Sequence, residues 1–227
     1  MGIQDRLAEI QEAIGTHAGD RPVTLVAVSK YATVEQMMEA YDAGVRHFGE
    51  NKVQDALAKM EQFSPEIAQT IHWHFIGNLQ ANKVKKTVGR FEWIHAIDSV
   101  KLAEAVSRHN VAAGRVQKVL LQINLSEDPS RHGFLKDAVT AALAEMMSFK
   151  GIAMRGLMGM APAGASLDGD SQALKGVFCG LRDLRNRLQG DCEIDLPELS
   201  MGMSHDFTHA LSCGATIIRI GNYLFKN

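Results

Sequence analysis

The 227-residue chain has little that would tie it to a disulfide scaffold, a membrane or a polyanion. Its three cysteines, Cys179, Cys192 and Cys213, are odd in number and include no CxxC pair. That argues against a disulfide framework or a structural zinc and fits a reducing compartment. No apolar run reaches the roughly 18 residues of a membrane span, and the N-terminal MGIQDRLAEIQEAIG reads as an amphipathic helix of mixed charge, so a soluble, unprocessed protein is expected. Gly2 opens a myristoylation-like context, but Arg6 stands where that signal needs Ser or Thr. Neither charge sign prevails. With 24 Lys and Arg against 26 Asp and Glu, no global field draws the chain to nucleic acid or anionic lipid, and any anion site must be local. Internal repeats and low-complexity segments are missing as well.

What is present is apolar material for a sizeable core, 46% of residues, in a chain whose length suits one barrel domain. Short apolar, β-branched runs alternate with helical periodicity. Strands are expected at 25–29, 47–49, 71–76, 93–97, 118–125, within 152–160, within 198–202 and at 215–220. Helices are expected at 33–43, from 53, at 79–88, 100–113, 135–147, 172–188 and 207–211, with Ser99 capping the fourth and Gly114 stopping it. Eight strand-helix units predict a closed (β/α)8 barrel, because parallel strands need helical crossovers and eight of them close without an edge. An open doubly wound sheet is the alternative, but Ser29-Lys30-Tyr31 replaces the glycine fingerprint that would favour it. The glycine-rich PAGASLDGDS is expected to be a mobile loop.

In such a barrel the carboxyl ends of the strands form one working face, which should bring Lys30, Glu50, Asn51, His74 and Arg219 together. Lys30 ends the apolar run LVAVS, where partial burial would leave more of the amine neutral for attack on a carbonyl; it also reads as a solvated loop lysine. Arg219, between Ile217-Ile218 and Ile220, needs a partner, either an acid such as Glu198 or Asp206 or an anionic ligand. Gly221 would allow close backbone approach and Ser204 offers a hydroxyl ahead of a helix, though each also reads as an ordinary turn glycine or cap. Both lie in the loops after the seventh and eighth strands, where barrels usually hold phosphate. An amine for an aldehyde and loops for a phosphate point to pyridoxal 5'-phosphate (PLP).

Histidine pairs raise a zinc alternative, His72 with His74 on a strand face and His205 with His209 on a helix. HDFTH lacks the glutamate of HExxH, and no acidic cluster completes a site, so no metal is expected. Lys83, Lys85 and Lys86, with Arg90, read as a solvated helix face.

The segments LVAVSK, AGVRHFGENKVQDA, WHFIGNLQANK, QINLSEDPSRHGF, RGLMGMAP and LSMGMSHDFTHALSCGATIIRIG run from Leu25 to Gly221. Together they closely resemble the PLP homeostasis proteins, whose fold is related to the N-terminal barrel of alanine racemase. The resemblance implies a single TIM barrel domain over residues 1–227 with PLP as its cofactor. It implies that Lys30 forms the internal aldimine and that Ser204, Gly221 and Asn222, joined by Ser200, hold the phosphate. Arg219 then approaches the pyridine nitrogen, and Asn51, Met203 and His74 line the pocket. A permanent cation beside that nitrogen opposes its protonation and makes the ring a poorer electron sink. Asn222 departs from the threonine common among relatives, and the six residues after Gly221 leave no counterpart of the second, tyrosine-bearing domain of alanine racemase. The implied role is cytoplasmic binding, buffering and delivery of PLP, with effects on vitamin B6 and amino-acid balance and no established turnover. The alternative is a weak PLP-dependent amino-acid racemase using Tyr31 or His74 as an acid-base group. PLP-dependent apoenzymes are the implied recipients; no catalytic residue and no nucleic-acid or membrane partner is implied, and a monomer is expected.

Overall fold

Period-two alternation in short strands and apolar stripes on the intervening helices give two separate places to bury side chains, one inside a ring of strands and one between that ring and its helices. The computed structural model describes residues 1–126, 128, 131–162 and 171–225. Its strands are β1 (Thr24–Val28), β2 (His47–Glu50), β3 (His72–Phe75), β4 (Trp93–Ile97), β5 (Gln117–Gln122), β6 (Ile152–Met158), β7 (Glu198–Ser200) and β8 (Ile217–Ile220). They pair in chain order, all parallel, and β8 closes on β1 with Ala27 opposite Ile220. The expected (β/α)8 barrel is therefore the fold, and the open sheet is not.

The helices are α1 (Ile3–Ala18), α2 (Val34–Asp42), α3 (Val53–Met60), α4 (Pro65–Ala68), α5 (Val100–Ala112), α6 (Val139–Met146), α7 (Ser171–Cys192), α8 (Phe207–Ser212) and α9 (Asn222–Phe225). Local chemistry sets several boundaries. Thr33 Oγ1 accepts from the Gln36 amide at 3.3 Å while Gln36 Oε1 accepts from the Thr33 amide at 3.0 Å, a reciprocal cap that starts α2. Ser99 caps α5 through the Leu102 amide, and Gly114, at φ +64°, turns the chain out of it as expected. Among the described residues no helix is long and apolar enough to cross a membrane.

Outward strand residues such as Phe48, Phe75, Ile94, Leu121 and Ile218 pack against the helices, whereas Val26, Ala96, Leu120, Met158 and Ile217 form a smaller cluster inside the ring. The rest of the barrel interior is polar. His74, His95, Ser200 and Arg219 are all at most 4% exposed, and strand alternation turns each of them inward.

Two expectations need revision, and a third lies outside what the structure describes. Residues 79–88 do not form an α-helix: only Ala81–Lys86 coils, as a 3₁₀ turn, with bonds such as Lys83 N to Gln80 O at 2.9 Å. Its single buried residue, Val84, gives no apolar stripe to stabilise longer helix. Cys179 and Cys213 form a disulfide, with Cα atoms 4.9 Å apart, where the sequence argued against a disulfide framework and for a reducing compartment. They are distant in sequence and meet because α7 packs against α8, which spacing alone does not reveal. The stretch expected to be a mobile loop lies, over residues 163–170, outside the described residues.

Candidate functional site

Pairing of β1 with β8 brings the first and last strands of the barrel to one seam. Just beyond their carboxyl ends, Lys30, Tyr31, His205, Gly221, Asn222 and Tyr223 line a cavity of about 350 Å³. Gly221 is required there for contact: a Cβ at this position would lie 3.1 Å from both Cβ and O of Val28 on β1. Lys30 is half-buried, with Nζ 5.0 Å from the centroid of the Tyr31 ring, which is itself 82% exposed. Its backbone is held from behind. Lys59 Nζ on α3 donates to Ser29 O at 2.6 Å and to the buried Glu50 Oε1 at 2.7 Å, and Ser29 Oγ donates to that same oxygen at 2.8 Å. A buried ion pair thus anchors the strand end that presents the amine.

Across the cavity, Ser204 Oγ accepts from the Tyr223 amide at 3.3 Å, tying the loop after β7 to the start of α9. The Asn222 amide, first in α9, has no intrahelical acceptor. α1 buttresses the same helix: Arg6 Nη1 donates to Leu224 O at 3.1 Å, and the Tyr223 hydroxyl donates to Glu9 Oε2.

Arg219 lies beneath this cavity, inside the barrel. Nη1 donates to Ser200 Oγ at 2.7 Å and Nη2 to Gly159 O at 3.1 Å, both neutral acceptors. Neither acid anticipated from sequence forms an ion pair with it among the described residues: Glu198 Oε2 accepts from Thr216 Oγ1 at 2.6 Å, and Asp206 Oδ1 accepts from the Met203 amide at 2.6 Å. Burial pulls the guanidinium down to about 10, with the Asp206 field opposing the shift. The cation remains charged at neutral pH and has no anion at contact distance among the described residues.

The site residues expected from sequence therefore divide. Lys30, Gly221 and Asn222 share the cavity, Ser204 braces it, and Ser200 holds Arg219. Met203 is 36% exposed on the same loop. Asn51 lines a different cavity with Asn78 and Lys83, and His74 is not on the wall of the Lys30 cavity but 1% exposed in the interior. The first separation arises because the sequence reading took all strand ends as one site, whereas Asn51 follows β2 and Gly221 follows β8. The second follows from strand position, since His74 is the third residue of β3 and lies below the rim. His205 and Tyr223 were not anticipated on the wall; their nearness to Ser204 and Asn222 in sequence was the available signal.

His74 belongs to a file of imidazoles. His47 Nδ1 lies 3.0 Å from His74 Nε2, His74 Nδ1 2.8 Å from His95 Nε2, and His95 Nδ1 2.9 Å from Ser200 Oγ. Burial pulls all three rings below the ordinary value, His74 and His95 far below it, helped for His95 by Arg219 and for His74 by its neighbours His95 and His47. All three are neutral at pH 7.

At the opposite mouth, His47 stacks on His72 with centroids 4.6 Å apart, His72 Nδ1 meets Glu92 Oε2, and Lys118 Nζ donates to Glu92 Oε1 at 2.6 Å. Burial alone would raise the Glu92 carboxyl, but the Lys118 and His72 contacts outweigh it and bring it from 4.5 to about 2. A carboxyl lowered in the folded state stabilises above its unfolded value and loses that contribution as pH falls through the folded one. Glu92→Gln should therefore be less stable than the parent at pH 6, with the difference closing between pH 4.5 and about 2 in urea titrations. A difference that stays constant through that window would remove the ion cluster from the stability account.

Comparison with known proteins gives one consistent result. Residues 3–227 match the family model of the alanine racemase N-terminal domain. The pyridoxal phosphate homeostasis protein of Synechocystis is 37% identical over 203 residues, 89% of this chain and 90% of the relative. The protein of that name from Pasteurella multocida is 34% identical over 230 residues, 99% of this chain and 97% of the relative. PipY of Synechococcus elongatus, solved both without and with PLP bound, superposes with a TM-score of 0.86 at 38% identity, covering 98% of this chain and 99% of that one.

Proposed function

Because the chain belongs to the pyridoxal phosphate homeostasis proteins, built on the alanine racemase N-terminal domain, we propose that it binds PLP and holds it for buffering or delivery. The observation that carries this is the shared cavity of Lys30 and the Gly221-Asn222 turn, with Arg219 beneath it. The residues present fit the cofactor. A cavity of about 350 Å³ is within the usual range for small ligands. Its wall offers an amine and a glycine that lets a ligand approach the backbone, and beneath it lies a cation that no carboxylate contacts among the described residues.

Bound PLP supplies an aldehyde carbon and an electron-withdrawing ring. Lys30 supplies the primary amine, fixed in place by Lys59 and Glu50. Ser204, Gly221 and Asn222 take the phosphate end, and Arg219 faces the ring edge, where a lasting positive charge disfavours a proton on the ring nitrogen. Ser200 acts through Arg219. Storage rather than turnover is the reading we favour for the two acid-base groups expected from sequence: both nitrogens of His74 are engaged by His47 and His95, and Tyr31 is 82% exposed, while His205 and Tyr223 on the wall are left for the exchange of an α-proton to test. In this reading the chain is a cytoplasmic monomer, one barrel domain throughout, that passes PLP to apoenzymes and so affects vitamin B6 and amino-acid balance.

The test is to load the protein with PLP, remove the excess, reduce with borohydride and map the modified peptide by mass spectrometry. A single modification at Lys30 is expected, and unreduced holoprotein should restore activity to a PLP-dependent apoenzyme. Failure to retain PLP, or labelling spread over surface lysines such as Lys52 and Lys83, would overturn the proposal.

A further inference from the structure

The imidazole file crosses the barrel from the half-buried His47 at the N-terminal mouth to Ser200 and Arg219 beneath the cavity. A neutral imidazole donates from one nitrogen and accepts at the other, so a chain of them has two senses, each fixing every proton at once. Ser200 decides between them. Its oxygen already accepts from Arg219 Nη1 at 2.7 Å, and its hydroxyl hydrogen has one acceptor among the described residues, His95 Nδ1 at 2.9 Å. With that hydrogen bond donated to His95, His95 Nε2–H donates to His74 Nδ1 and His74 Nε2–H donates to His47 Nδ1, and every ring nitrogen of His95 and His74 is paired. In the reverse sense Ser200 would accept twice and its hydroxyl hydrogen would be left unpaired in the interior.

We propose that His95 and His74 are positioning residues for Arg219: His95, its ring fixed in turn by His74, accepts from the Ser200 hydroxyl, which locks that rotor with a lone pair toward Arg219 Nη1 and so holds the guanidinium against the ligand. The ligand here rests on the PLP reading, whereas the sense of the hydrogen bonds rests on the interior geometry alone. Two acceptors on different nitrogens, Ser200 Oγ and Gly159 O, fix the guanidinium plane, and three of its five N–H groups have no acceptor among the described residues. The charged groups at the ends reinforce the arrangement. Arg219 at one end disfavours a proton on His95, while at the other end the Lys118–Glu92–His72 cluster is in contact with His47 through His72.

Two measurements test this. Protein labelled with ¹⁵N-histidine, without added PLP, should show His95 and His74 protonated on Nε2 at neutral pH in two-bond ¹⁵N–¹H correlations. Protonation of His95 on Nδ1, or a doubly protonated ring, would overturn the proposal. Separately, His95→Asn places an acceptor oxygen where Nδ1 stands, whereas His95→Leu keeps the apolar packing and removes the acceptor. PLP titration should find the Asn variant within about threefold of the parent and the Leu variant weaker by about tenfold, the scale of one lost buried hydrogen bond. A role in packing alone predicts the opposite order, and that order, or equal affinities, would sink the idea. Should the parent itself bind no PLP, the function reading fails, and the tautomer spectra still decide the sense of the file.

Discussion

Lys30→Ala is expected to abolish covalent retention of PLP, leaving a protein that loses the cofactor on gel filtration and gives no borohydride-stable label. Noncovalent contacts from Ser204, Gly221, Asn222 and Arg219 would persist, so weak binding should remain, lower than the parent by at least about 100-fold. Folding should hardly notice. Lys30 is half-buried, its amine makes no hydrogen bond or ion pair among the described residues, and the strand end is secured by Lys59 acting on Ser29 O. Truncation at such a site changes stability by about 0.5 kcal/mol or less, a shift of roughly 2 °C in Tm. An alanine variant that kept the label would move the covalent site to another lysine. One that melted far below the parent would mean the side chain has a structural role its contacts do not display.

Arg219→Met should divide binding from stability in the other direction. The guanidinium is 4% exposed and held by two neutral oxygens, so the ligand-free protein carries a buried charge with no contacting anion among the described residues. Exchanging such a charge for an apolar side chain of similar length is often neutral or stabilising. The Ser200 oxygen and Gly159 O each lose a partner, which offsets part of that gain. Thermal unfolding within about 3 °C of the parent, or above it, is expected without ligand. PLP affinity should meanwhile fall by about 100-fold, the scale of losing charge-assisted contacts in a dry site. Arg219→Lys keeps the charge but not the planar fork and should be intermediate. A marked loss of ligand-free stability in the Met variant would show that the cation supports the barrel rather than the ligand.

The order of strands and helices was legible in the sequence because short β-branched runs and helical stripes have different periods, and barrel closure followed from their number. Side-chain partnerships were less so. Lys30 and Gly221 could be placed on one face because both follow strand ends of a closed ring, whereas Asn222 came from the resemblance to the family. His74 could not be separated from the rim without knowing the register, and nothing in a list of nine histidines distinguishes the ones that form a file. Residues 79–88 carried helix-forming lysines without a buried face, which made propensity a poor guide. The Cys179–Cys213 pairing depends on helix packing, a tertiary property with no local signal.

The seam between β1 and β8 has a consequence for how the protein is made. Lys30 emerges from the ribosome long before Gly221, so a growing chain carries the amine without the turn that faces it. The cofactor cavity is completed only when the last strand docks on the first, a long-range contact of the kind that forms late in folding. A bound ligand therefore reports a finished ring, and by mass action it also holds that ring shut, since opening the seam releases the ligand and forfeits its binding free energy.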